Sequence, residues 1–579
     1  MTKKRRFLLL TVMSTAIILA STGCGKVKHP YDAASYPKKI TVTVFDSFAN
    51  YEGLQSGWFA KEVMDHFNMK LELIAPNLRE DGSGMMDVRA AAGNIGDIII
   101  TSGENEKLEQ LVSKGLVADI SKYLDGSELM EKYGTSVRML NDGLDGIYAV
   151  QGDMSTLPAS ESNSILEPNY APYVRWDYYK ELGYPAIGTL EDLLPVLEKM
   201  QELHPRDDDG NKVYGFSFFP DWDGNMMTAA KQPACLYGYD EIGFLLVSAD
   251  GKSVEDILEK DSQYMRALRF YNKAYRMGLV DPESRDQTYT DVFEKYKKGD
   301  VLFCPWAFLG QSAFNTDDHT SKGEGFMPVD IGDMKIYDSG CMPNGNSKKI
   351  IAVGSRAKDT ERLANFIAWL YTDDGIYCNE ANSDNGTAGP YGMCWEMLEN
   401  GPSFTDFGVR SVIKKLTPAV PEEYGRGSFS DGISQLNFIA VNIKEKDKNG
   451  DPYSFLLWPS SKEYRKSALL SDWQQHMNAG NTMDYLTKNG KLAVSEGFDY
   501  PSLKEANEIA DMRDAVRRKL VDFSWKMVFA ADDAGFDEYY AKAKRICKAL
   551  GYDKVVEYDR SDAARRQKMK EGSQTEKDR

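Results

Sequence analysis

Strands and helices alternate through the first hundred residues of the body of this chain, and that alternation restricts the fold more than any other feature. Residues 39–45 alternate Thr with Ile, Val and Phe, the pattern of a β-strand. Trp58, Phe59, Val63 and Phe67 recur at helical spacing. Residues 70–75 and 96–101 read as second and third strands, and 108–117 returns to helix. Such alternation implies an α/β layer around a mostly parallel sheet. In sheets of that kind ligands bind beyond the carboxyl ends of the strands. Asp46, Ser47, Thr101 and Ser102 stand at those ends and are candidate binding residues.

The pattern continues downstream. A short strand at 146–150 leads to a loop rich in Ser, Pro and Asn, and 171–176 is a strand feeding a helix at 177–182. Thr189 with Asp192 three places on approaches a capping box, opening a helix that runs to about 203. Residues 292–298 form an amphipathic helix stopped by Gly299, and 301–306 is an apolar strand ending in Trp306. Residues 350–353 precede a helix over 360–371, and the last clear helices lie between 502 and 550. Residues after Ser561 are polar and charged and read as a frayed tail.

The N-terminus bears on compartment. Lys3, Lys4, Arg5 and Arg6 precede an apolar run over 7–20, then Ser21, Thr22, Gly23 and Cys24. This is an export signal, too short for a span of about 20 apolar residues. A cysteine directly after small residues resembles the lipobox of bacterial lipoproteins, with Ser21 where a leucine usually stands. The resemblance implies cleavage before Cys24 and lipid on its thiol, holding the protein outside the cell by acyl chains.

Net charge is −18, and −22 once the four basic residues of the signal are removed. Such acidity argues against nucleic acid and against polybasic attachment to lipid. With 42% hydrophobic residues over 579, the chain supports two to four domains. Cys235, Cys304, Cys341, Cys378, Cys394 and Cys547 are too sparse for a disulfide scaffold; bridges or buried thiols both remain open. The five histidines have no metal spacing. Loops around Gly210 and Gly450 fail as EF-hands: their first and last positions would be Pro205 and Phe216 in one, and the last position Leu456 in the other. No metal or cofactor is expected.

Several segments, taken in order, resemble the extracellular solute-binding lipoproteins of ABC-type sugar importers, the family of maltose- and oligosaccharide-binding proteins. They are Gly96 to Ile100 with 111–120 and Tyr123; 173–183 with Pro185 and 189–193; 277–283; 298–306; and 363–371 with Asp374 and Gly375. The length is similar to the long oligosaccharide-binding members of Gram-positive bacteria. The resemblance implies a two-lobed, type II periplasmic-binding-protein-like α/β fold with the ligand in a cleft between lobes. It places a signal at 1–23, a lipidated tether at 24–39, lobe one at 40–150 and 347–400, lobe two at 151–346 and 401–560, and a tail at 561–579. It also implies a monomer serving a permease, with a carbohydrate ligand and no catalysis.

Sugar recognition uses flat aromatic faces for C–H surfaces and planar polar groups for hydroxyls. Trp306 matches the family's cleft-wall tryptophan. Trp222, between Asp221 and Asp223, lies in a polar turn where a ring packs poorly as core. Arg175 and Trp176 end a strand, and Tyr391 and Trp395 lie in a Gly-rich stretch. These join the strand-end residues as candidate ligand contacts. The alternative reading is a secreted polysaccharide-degrading enzyme using a carboxylate pair, but 88 acidic residues make candidate pairs uninformative. No Gly-x-Ser-x-Gly elbow or P-loop is present.

Overall fold

The computed structural model describes residues 30–577 except 80–81, 105, 208, 382–385 and 501–504. The signal, Cys24 and most of the tether lie outside the described residues.

Six strands form the main sheet of the first lobe: β1 (Ile40–Asp46), β2 (Gly53–Leu54), β3 (Met69–Ile74), β4 (Ile98–Thr101), β5 (Ala149–Gly152) and β6 (Asn346–Val353). Their order is β2-β3-β1-β4-β6-β5. β3, β1 and β4 run parallel, while β6 lies antiparallel between β4 and β5. Ile98 and Ile100 face one apolar cluster and Ile99 the other, so the unbroken isoleucine run marks a strand covered on both faces. The helix Gly57–Phe67 presents Trp58, Phe59, Val63 and Phe67 to the first cluster, as its spacing requires.

The second lobe has one continuous core from Ala171 to Val556. Its central strand Tyr173–Arg175 is buried throughout and pairs antiparallel with Phe303–Cys304 and Phe326–Pro328. Thr189 and Asp192 form the expected capping box, and Gly299 closes Tyr289–Lys298 with φ 86°.

The chain crosses between lobes three times. Met154 belongs to the first core and Ala171 to the second; Ile336 belongs to the second and Ile351 to the first; Trp458 belongs to the first and Leu469 to the second. The last crossing corrects the sequence reading, which returned the chain to lobe two at 401. Phe407, Phe429, Phe438, Tyr453 and Trp458 all pack in the first core, and the change of lobe falls around the 3-10 helix Pro459–Arg465. A second correction concerns the C-terminus, where 561 onward continues the helix Tyr552–Lys577 instead of fraying. Its acidic residues are not all solvated: Asp559 is buried, pairs with Arg513 at 2.6 Å and accepts the Phe244 N–H at 2.8 Å. The six cysteines of the described residues are free and buried, which resolves them as packed thiols.

Candidate functional site

The crossing segments are tied by polar contacts. Asp338 accepts the hydroxyls of Ser162 and Ser164, and Cys341 N–H donates to Glu161 C=O at 2.7 Å. Glu445 accepts Ser155 Oγ at 2.9 Å and the Thr156 N–H at 2.5 Å. Glu380 is fully buried; its Oε1 accepts the N–H groups of Ala440 and Val441 at 2.8 and 3.3 Å, while Oε2 has no partner. Burial pushes the Glu380 carboxyl up to about 8. Two buried carboxylates thus hold 440–445, which runs beside 153–156 where the chain leaves the first lobe.

On the second lobe an aromatic cluster stands at the edge where the chain enters. Trp222 stacks on Tyr289, with centroids 4.9 Å apart and planes at 23°. Trp306 stacks on Phe308 at 5.5 Å, and Trp222 meets Trp306 edge-on at 5.9 Å. Trp222 is 44% exposed and Phe308 42%, whereas Trp306 is only 8% exposed. The open faces therefore belong to Trp222 and Phe308, and Trp306 backs them. Asn169 and Tyr170, from the end of the first crossing segment, line a cavity of about 290 Å³ with these rings. Such a surface offers apolar area and quadrupolar faces to a sugar's C–H groups.

Asp221 and Asp223 do not project into that space. Asp221 accepts the Tyr289 N–H at 2.8 Å. Asp223 accepts Trp525 Nε1 at 2.7 Å and the Thr228 N–H at 2.8 Å, and burial pushes its carboxyl up to about 6. They pin the loop on both sides of Trp222 to three helices, at Tyr289, Thr228 and Trp525, so their role is to position the ring.

The carboxyl ends of β1 and β4 in the first lobe hold the other candidates. Asp46 is fully buried, and its two oxygens accept the Phe48 and Asn437 N–H groups, each at 2.9 Å. Its carboxylate is consumed in joining β1 to residues 433–442. Ser47 donates to Thr101 Oγ1 at 3.2 Å, and Ser102 accepts the Glu104 N–H at 3.2 Å. Around them gather residues that sequence reasoning missed. Lys349 Nζ donates to Asn437 Oδ1 at 2.5 Å and lies 5.4 Å from the Phe48 ring centroid. Asp153, half-buried with φ 53°, sits among Asn346 and Lys349. The rule that flagged Asp46 would also have flagged Asp153, which directly follows β5. Phe308 was missed because it sits in an apolar run that reads as core. Asn437 was missed because it is a single polar residue beside another apolar run.

Of the remaining candidates, Arg175, Trp176 and Trp395 are buried and engaged within the fold, while Tyr391 is exposed. Arg175 is 5% exposed, paired with Asp177 at 2.7 Å and sandwiched by the Tyr178 and Phe314 rings. Trp176 is buried with Nε1 donating to Asp472. Trp395 is buried against Tyr377 and Trp458 and donates to Gly389 C=O, and Tyr391 is exposed against its edge. Trp395 thus packs on Trp458, the residue just before the third crossing. The turn at 207–211 satisfies itself, Asp207 accepting both the N–H and the side-chain amide of Asn211.

No protein-family model matches the chain. It is 23% identical over 230 residues to the fructooligosaccharide ABC transporter substrate-binding protein FusA of Streptococcus pneumoniae serotype 4. That match covers 38% of this chain and 41% of the length of FusA. The structure of FusA in complex with kestose is similar over 91% of this chain and 99% of that one, with a TM-score of 0.58 at 15% identity. The alginate-binding protein AlgQ2 without calcium matches over 90% and 97%, with a TM-score of 0.52 at 15% identity. An HMO-binding, ABC-transporter-associated solute-binding protein from Bifidobacterium longum infantis matches over 90% and 98%, with a TM-score of 0.52 at 15% identity. The fold is the two-lobed type II fold of these binding proteins, with its cleft between the lobes.

Proposed function

We propose that this chain is an extracellular, lipid-anchored receptor that binds an oligosaccharide in the cleft and delivers it to an ABC transporter permease. The observation that carries this reading is the open Trp222–Phe308 surface at the crossing edge of a two-lobed fold. Similarity to FusA and to the solved neighbours, all binding proteins, supports it. The carboxylates at the two walls, Asp46, Asp221 and Asp223, are engaged in holding backbone and indole N–H groups, which favours binding without hydrolysis.

The purified mature chain should be stabilised by soluble oligosaccharide and leave it intact. A ligand at 100 times its Kd adds about 2.7 kcal/mol, which thermal unfolding detects readily. Release of reducing ends by the folded protein, lost on changing one carboxylate, would overturn this reading. The anchor is tested separately. No helix among the described residues is long and apolar enough to cross a membrane. Cys24→Ser should therefore shift the protein from the membrane fraction to the medium; retention on membranes after a high-salt wash would remove lipid as the tether.

A further inference from the structure

Residues 30–38, within the stretch read as a tether, are packed on the first lobe. Tyr36 is 4% exposed; its ring centroid lies 6.2 Å from that of Phe67 and 4.7 Å from the Arg362 guanidinium. Its hydroxyl accepts a hydrogen bond from Asn365 Nδ2 at 2.8 Å and donates to Pro30 C=O at 2.8 Å, closing the segment into a loop. Asp32 caps the 3-10 turn Ala33–Ser35 inside that loop. Asn68 Nδ2 donates to Tyr36 C=O at 2.8 Å, and Arg362 Nη1 to Lys38 C=O at 2.9 Å. Fixing each residue costs about 1–2 kcal/mol of backbone entropy, so a plain spacer gains nothing from order. Here a buried ring and its hydrogen bonds offset that cost.

His66 fastens the outer end of the segment. Its Nδ1 donates to Tyr31 C=O at 2.9 Å, and its Nε2 lies 3.0 Å from Asp374 and 3.7 Å from Glu62. Burial works against the charged ring, but these acceptors push its pKa up to about 9, so both nitrogens carry protons at neutral pH. The Tyr31 ring meets Phe67 edge-on at 6.2 Å.

The dock has a definite place on the lobe. It leads into β1 beside Asn68, which precedes β3, and Ile40 N–H donates to Asn68 C=O at 3.3 Å. This is the amino end of the parallel strands, opposite the carboxyl ends where Asp46 and Thr101 stand. From Cys24 to Pro30 the chain takes six residue steps, which reach at most about 20 Å. Free as far as Ile40, it would take sixteen and reach about 55 Å.

Resting on the lipid anchor of the reading above, we infer that this clamp sets which face of the protein meets the bilayer. The amino-end corner of the first lobe, around Tyr31 and His66, sits within about 20 Å of the lipid surface. The first lobe is thereby the membrane-held lobe, gripped at the end of its sheet away from the ligand-binding strand ends. The second lobe is joined to it through the crossings and carries the closing motion.

The test uses the full chain, processed with its lipid, in vesicles of phosphatidylcholine and phosphatidylglycerol that carry an acceptor dye. A donor is placed on Asp65→Cys in the first lobe or on Asp537→Cys in the second; both sites are exposed, and the native cysteines of the described residues are buried. Energy transfer from position 65 should exceed that from position 537 at least twofold. An insertion of about twenty Gly/Ser residues after Lys28 leaves the clamp intact and should erase the difference. Tyr31→Ala combined with His66→Ala should reduce it at an unchanged melting temperature. Equal transfer from the two sites would overturn the inference while leaving the anchor standing. A difference that persists with the insertion would mean that the bilayer holds this corner without the short leash, which overturns it equally. An undiminished difference in the double variant would remove the clamp from the role. Failure of the parent to bind vesicles, as expected for Cys24→Ser, would bring down the lipid anchor and this inference with it.

Discussion

Trp222→Ala and Trp306→Ala are expected to fail in opposite ways. Trp222 is 44% exposed, so truncating it removes the sugar-facing ring and little core. Loss of one aromatic contact and its buried area is worth about 1–3 kcal/mol, roughly 5- to 150-fold in Kd. Trp306 is 8% exposed and backs both Trp222 and Phe308. Its truncation leaves a cavity behind the platform and should cost about 3–5 kcal/mol of stability. Phe308→Ala should resemble Trp222→Ala. Unfolding without ligand and titration with it separate the two quantities. An unperturbed melting temperature for Trp306→Ala with affinity abolished would restore Trp306 as the stacking surface the sequence suggested.

Glu380→Gln should flatten the pH dependence of stability. The folded carboxyl is raised from 4.5 to about 8, so between those values the native state keeps a proton that the unfolded chain has released. Stability contributed by this group is then present below about pH 4.5 and lost as pH rises toward 8. Each unit is about 1.4 kcal/mol, giving on the order of 4–5 kcal/mol across the window. Glutamine keeps the acceptor for Ala440 and Val441 and cannot ionise. The variant should match the parent near pH 5 and exceed it by several kcal/mol near pH 9, measured by urea unfolding across pH. Parallel profiles for parent and variant would show that Glu380 does not ionise in that range. Because 440 and 441 lie beside a crossing segment, the same change should also shift the pH dependence of lobe closure.

Local order was readable wherever the relevant partners lie within a turn or two. The face of Trp58, Phe59, Val63 and Phe67, the capping box of Thr189 and Asp192, and the stop at Gly299 depend on residues a few positions apart. The isoleucine run at 98–100 announced a strand buried on both sides. Trp222 was legible because a ring between two aspartates in a polar turn is not part of an apolar run, and its one local partner, Phe219, meets it only edge-on.

What those side chains do was decided at long range. Asp46 stands at a strand end, as read, yet its carboxylate is taken by the N–H of Asn437, 391 positions away. Asp223 is held by Trp525, 302 positions away. The return to lobe two moved from 401 to beyond Trp458 because the rings at 407, 429, 438 and 453 find their partners in the first core. Which tryptophan is open and which is backing depends on helices that meet only in the folded lobe. Sequence pattern thus determined the α/β class, the elements and the kind of residue available at the cleft. Tertiary structure alone determined which of them remain free, because a hydrogen-bonding group or ring face is available only when no distant segment has already used it.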